Sequence, residues 1–75
     1  MGVELMKRYN VALEKYRKAE SWFDDPSVLQ SDKEKHEMKL VGIIRECGEA
    51  CNALEAAGVE MTSERIQKGF PEVAQ

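Results

Sequence analysis

Between Glu4 and Phe23 the apolar residues Leu5, Tyr9, Ala12, Tyr16, Ala19 and Phe23 recur at alternating steps of four and three. That spacing keeps side chains on one face of an α-helix. Met6 and Leu13 widen the stripe on one side and Trp22 on the other, as a helix packed against more than one neighbour requires. The stretch "DDPSVLQSD" interrupts it. A residue before proline is pushed out of helical backbone, so Asp25 marks the boundary and caps a brief turn that Pro26 opens. Val28 and Leu29 are then placed to fold back over Trp22 and Phe23.

A second periodic segment follows. Ser31 and Glu34 have the spacing of a capping box, in which each satisfies an orphan backbone donor of the first turn. Leu40, Ile44, Cys47, Cys51 and Leu54 continue the four-three alternation, flanked by Val41, Ile43, Ala50 and Ala57. Gly58 predicts the stop, because glycine adopts the left-handed cap conformation cheaply. Gly42 and Gly48 fall inside this helix, each at a cost of about 1 kcal/mol relative to alanine. Close backbone approach beside the seam accounts for Gly48; the polar-face position of Gly42 has no such explanation. In "MTSERIQKGF", Thr62 predicts an N-cap, Met61 and Ile66 a hydrophobic staple, and Gly69 with Pro71 an end after two turns. The closing "EVAQ" is expected to fray.

The pattern therefore predicts a single all-α domain over residues 1–75. Helices are expected at about 4–24 and 32–57, as an antiparallel two-helix hairpin, with a short C-terminal helix at about 63–69. Folding back near residue 28 sets Tyr9 opposite Cys47 and Ala12 opposite Ile44, large against small. Residues 4–20 carry five basic and three acidic side chains, and residues 32–57 four basic and six acidic, which favours this pairing weakly. The apolar stripes exceed what one hairpin covers, leaving Met6, Leu13, Val41 and Ile43 wet. A homodimer forming a four-helix bundle is the economical solution. The alternative is a monomer in which residues 59–70 fold back over the open flank.

Composition adds limits. A charged fraction of 33% and a hydrophobic fraction of 43% suit a soluble, folded, helix-rich chain. A net charge of -3 supplies no global attraction to nucleic acid or anionic membrane. Apolar runs as short as "LVGII" cannot span a bilayer. No signal-peptide h-region follows the opening Met-Gly, and Met6 stands where a myristoylation signal needs Ser or Thr. A cytoplasmic protein without membrane contact is expected.

Five features bear on chemistry. Cys47 and Cys51, four apart on one helical face, could offer two thiolates to a metal, but zinc wants four ligands and His36, the single histidine, is three turns away. The spacing also fits neither a disulfide within one straight helix nor a redox Cys-x-x-Cys motif. Both are expected as small hydrophobic fillers, with no metal and no cofactor. Lys7, Arg8, Lys15, Arg17 and Lys18, beside Tyr9, Tyr16 and Trp22, are the residues a nucleic-acid-binding regulator would use. Glu14 and Glu20 dilute that patch, and a solvated helix face is the simpler expectation. His36 belongs to the polar "DKEKHEMK" stretch and suggests no role. No Ser/His/Asp set, phosphate loop or metal-carboxylate signature is present, so catalytic residues and enzyme activity are not expected. Finally, Trp22 is expected to plug the end of the bundle against Val28 and Leu29; as a core plug, its replacement by alanine would cost roughly 3–5 kcal/mol. The competing expectation is that Trp22 and Val28, rimmed by Asp24 and Asp25, anchor a protein partner.

The run "YNVALEKYRKAESWFDDPSV", followed by "MTSERIQKGF", resembles short uncharacterised helical proteins encoded in Gram-positive bacterial genomes, often in prophages and mobile elements. The resemblance implies a small bacterial or phage accessory protein, and it brings no catalytic residues with it. A structural or protein-interaction accessory module is the leading expectation, nucleic-acid binding the second and a metal-linked dimer the third.

Overall fold

The structure is a computed structural model that describes residues 2–73. Its elements are α1 (Gly2–Asp24), α2 (Gln30–Lys35), α3 (Glu37–Ala56), α4 (Ser63–Lys68) and a 3-10 turn over Pro71–Val73. The described residues are all helical or connecting, without strands. The long helices α1 and α3 pack together in a body of 42 × 20 × 20 Å. No helix among the described residues is long and apolar enough to cross a membrane.

The turn after α1 follows the proline chemistry. Asp25 Oδ1 accepts hydrogen bonds from the Ser27 backbone N–H at 2.9 Å and the Ser27 hydroxyl at 2.7 Å. These two bonds hold the Asp25 carboxyl below its usual pKa. The capping box does not form. Leu29, in extended backbone, is the N-cap of α2 without a side-chain bond, and Ser31 lies inside the helix. The Asp32 and Lys33 N–H groups already bond to the Leu29 carbonyl at 3.1 Å, so the helix starts before Ser31 can cap it.

The single helix expected at 32–57 is broken at His36, whose backbone sits at φ -102°, ψ 5°. The break coincides with a change of hydrogen-bond partners at His36. His36 Nδ1–H donates to the Asp32 carbonyl at 2.8 Å, the acceptor that the His36 backbone N–H needs to continue an α-helix. That N–H turns to the Lys33 carbonyl at 3.2 Å instead, and α3 begins afresh at Glu37.

The far end of α3 follows the glycine rule. Gly58 has φ 88°; its N–H bonds to Glu55 O at 3.0 Å and the Val59 N–H to Leu54 O at 2.9 Å. This is the Schellman pair of bonds, accompanied by the apolar contact of Val59 with the core cluster that contains Leu54. Thr62 Oγ1 then accepts from the Arg65 N–H at 3.2 Å and caps α4.

The core sits at the Gly58 end of the hairpin. Tyr9, Leu13, Ala50, Leu54 and Phe70 form its buried cluster, with Leu5, Met6, Cys51, Val59, Met61 and Val73 packed around it. On α1 Tyr9 follows the sequence stripe, whereas Leu13, expected on the wet flank, is buried and Met6 packs beside it, because the return segment covers that flank. On α3 the buried line is Ala50 and Leu54, whereas Ile44 is 50% exposed and Cys51 only half-buried. The seam turns this way because three segments, not two, meet there: the chain after Gly58 brings Phe70 in beside Tyr9, ring centroids 6.1 Å apart and edge-to-face, and small Ala50 leaves room for both rings. Burial of Phe70 was not expected from the sequence. Nor does the expected fray hold at its start: Glu72 and Val73 belong to the 3-10 turn and Val73 packs on the core, while Ala74 and Gln75 lie outside the described residues.

Three polar latches hold this return segment to α1. The Asn10 amide donates to Phe70 O at 2.9 Å and accepts from the Phe70 N–H at 2.6 Å. Tyr9 donates its hydroxyl to Ile66 O at 2.7 Å, and Arg17 donates to Gln67 O. Within one chain residues 59–70 therefore return to the hairpin on the side of Met6 and Leu13, while Val41 stays exposed. The close-approach reading of Gly48 does not hold within the chain, since a Cβ there would meet no atom within 4 Å.

Burial raises the pKa of Tyr9 and of Cys47 and Cys51; the neighbouring thiols raise Tyr9 further, and Glu46 and Glu55 raise Cys47 and Cys51. In the unfolded chain these acids ionise at their ordinary values, before they do in the folded one. Their contribution to stability is therefore complete below about pH 8.5 and declines as pH rises through the thiol and phenol range. Denaturant titrations at pH 7 and pH 10 are expected to show lower stability at pH 10, with the Cys47→Ser/Cys51→Ser variant losing less across that interval.

Candidate functional site

The opposite half of the hairpin is organised differently. Toward the α1–α2 turn, α1 and α3 are flanked by an open cleft of about 870 Å³. Ala19, Trp22, Phe23, Leu40 and Ile43 give it apolar walls. Lys15, Lys18, Lys39 and Glu46 stand at its polar margin, with His36 at one end. Trp22 is half-buried. It meets Phe23 edge-to-face at 5.0 Å and the His36 ring at 5.1 Å, so the helix break at His36 also positions a wall of the cleft.

This corrects the expected plug. Trp22 packs on Phe23 and His36 rather than on Leu29, which is 67% exposed. Two edge-to-face pairs are worth about 0.5–1.5 kcal/mol each beyond burial. With the burial of a half-exposed ring lost as well, Trp22→Ala is expected to cost about 2–4 kcal/mol in a urea titration, toward the lower end of the range for a buried aromatic. Asp24 and Asp25 are exposed and Val28 is half-buried, as the anchor expectation has them, but none of the three lines the cleft. Lys15, Lys18 and Lys39 share the cleft with Trp22.

Gly42 also lines the cleft, and a Cβ built there would meet nothing within 4 Å. The glycine on the polar face thus keeps one wall of the cleft bare, at the usual helical cost.

The basic residues of α1 do not act as one surface. Arg8 pairs with Glu49 at 3.9 Å, Lys15 with Glu46 at 3.5 Å and Lys18 with Glu14 at 3.2 Å. Arg17 is committed to the Gln67 carbonyl, and Tyr9 is buried. Lys7 is half-buried. Of the five, Lys15 and Lys18 border the cleft, where Lys39 of α3 joins them.

The thiols offer little reactivity. Both are half-buried and free, Cys51 Sγ donates to Glu55 Oε1 at 3.6 Å, and both pKa values lie above the ordinary thiol range. Among the described residues no group of three or more His, Cys, Asp or Glu side chains converges as a metal site would require. Sequence reading identified Trp22 at the stripe edge but missed His36, Lys39 and Gly42; the single available signal was an unexplained glycine one turn from Lys39. No family model, curated protein or solved structure matches the chain.

Proposed function

We propose that this protein is a non-enzymatic interaction module that docks a partner protein in the cleft between α1 and α3. One observation carries the reading: the hairpin is closed at one end by its own Phe70, and at the other a Trp–Phe pair lines an open cleft. Tryptophan is among the side chains most enriched at interface hot spots. An accessory role in a bacterium or its mobile elements belongs to the same proposal and is supported by the sequence resemblance.

The test is affinity capture from cells that encode the chain, comparing wild type with Ile43→Glu in the cleft and Val11→Glu on the exposed side of α1. Capture lost only with Ile43→Glu supports the module. Capture equal in all three, or lost equally in both variants, removes the cleft from the reading.

A homodimer is the second reading. Val41, 43% exposed, and Ile44, 50% exposed, flank the bare backbone of Gly48 on α3, where a second copy could approach closely. Sedimentation at micromolar concentration decides it. A dimer that Ile44→Glu dissociates is the expected result; a monomer at all concentrations refutes the bundle.

A further inference from the structure

We propose that the cleft's occupant is an acidic amphipathic helix of a partner protein, with its apolar face on Trp22 and Ile43 and its carboxylates on Lys15, Lys18 and Lys39. This rests on the interaction reading above and adds the chemistry of the partner.

Charge is the first argument. The chain carries a net charge of -3, yet the cleft collects three lysines against one glutamate. Two of those lysines have only solvent-exposed pairs, Lys15 with Glu46 at 3.5 Å and Lys18 with Glu14 at 3.2 Å, which water screens strongly. Among the described residues Lys39 has no ion pair. An incoming carboxylate therefore meets one free ammonium and two weakly engaged ones. A second copy laid cleft to cleft brings the same lysines onto themselves, which disfavours self-pairing here.

Shape is the second. From Lys15 to Trp22 the cleft follows about two turns of α1, roughly 10 Å. A helix laid along two others presents apolar anchors at i, i+3 or i+4, and i+7 over that length. The bare backbone at Gly42 lets it sit close to α3. Nucleic acid fits less well, because the Trp22 ring already meets Phe23 and His36 and is not a free stacking platform.

The test is a display library of helical peptides of about 14 residues, with a fixed apolar stripe and flanking positions randomised among Asp, Glu, Lys, Arg and Ser. It is selected on the full chain and read by fluorescence of Trp22, the single tryptophan. The expected binders carry Asp and Glu beside the stripe, move Trp22 emission, and weaken on the order of tenfold between low and high salt. The Lys15→Glu/Lys39→Glu variant should reverse the preference toward basic flanks. Binders with neutral or basic flanks on wild type overturn the proposal. So does a failure to recover any peptide that moves Trp22, including the case in which phosphatidylglycerol vesicles or oligothymidylate move it instead. If the acidic helix fails while capture still depends on Ile43, the interaction reading stands with another partner chemistry. If capture is also independent of Ile43, both fall.

Discussion

Phe70→Ala is expected to lower stability by about 3–5 kcal/mol, the range for deleting a buried aromatic side chain. Phe70 is fully buried against Tyr9, Leu13, Ala50 and Leu54, and Arg65 stacks over its ring at 5.6 Å. A chain of 75 residues has on the order of 4–11 kcal/mol of total stability, so this one side chain decides whether the folded state survives warming. The melting temperature should fall by well over 10 °C, at about 4–8 °C per kcal/mol for a domain of this size. A calorimetric shift of only a few degrees would mean that the C-terminal segment is not part of the core.

Gly69→Ala is expected to be nearly as damaging, although it adds a single methyl group. Gly69 lies at φ 75°, ψ -148°, a region open to glycine and costly, by about 1–3 kcal/mol, for any other residue. A Cβ there would also sit 2.5 Å from Asn10 Oδ1 and 3.3 Å from Leu13 Cδ2. Asn10 cannot swing away freely, because its amide holds both backbone groups of Phe70. Displacing it leaves a part-buried N–H and C=O without partners, adding about 1–3 kcal/mol. Urea titration of Gly69→Ala and Asn10→Ala separates the two contributions: Gly69→Ala should be the worse, and the double variant should cost less than the sum. Full additivity would show that the methyl group does not act through the Asn10 clamp.

The legible parts of the fold were those written in local chemistry. The Asp25–Pro26 turn, the Gly58 stop and the Thr62 cap each depend on residues a few positions apart, and each is where the sequence places it, while of the α1 stripe Tyr9 and Ala12 are buried and Leu13 joins them from its flank. The break at His36 was not legible. "DKEKHEMK" contains no proline or glycine, and the one local feature at the interruption is a side-chain bond to a backbone carbonyl. Phe70 was hidden for another reason: it stands between Gly69 and Pro71, outside any periodic pattern, and its polar partner Asn10 is 60 residues away in sequence. The α3 seam followed from that omission, since without Phe70 there was no cause to prefer Ala50 over Cys51.

The cleft was half legible. Trp22 at the edge of its stripe was a visible anchor, and Lys15 and Lys18 were visible as charges. Their assembly with Lys39, Ile43 and Gly42 depends on the register of α3 against α1. Local periodicity does not carry that register, so Lys39 and Gly42 could not be placed beside Lys15 and Lys18 from the pattern alone.

Gly42→Leu separates folding from binding most directly, because the two should move in opposite directions. The new side chain meets no atom within 4 Å at its Cβ and replaces a poor helix former with a good one, a gain of about 0.8 kcal/mol, while it fills the cleft beside Ile43 and Lys39. Melting temperature and partner capture measured on the same preparation should show a chain as stable as wild type or more so, with capture lost. Undiminished capture by that stable variant would contradict docking in the cleft.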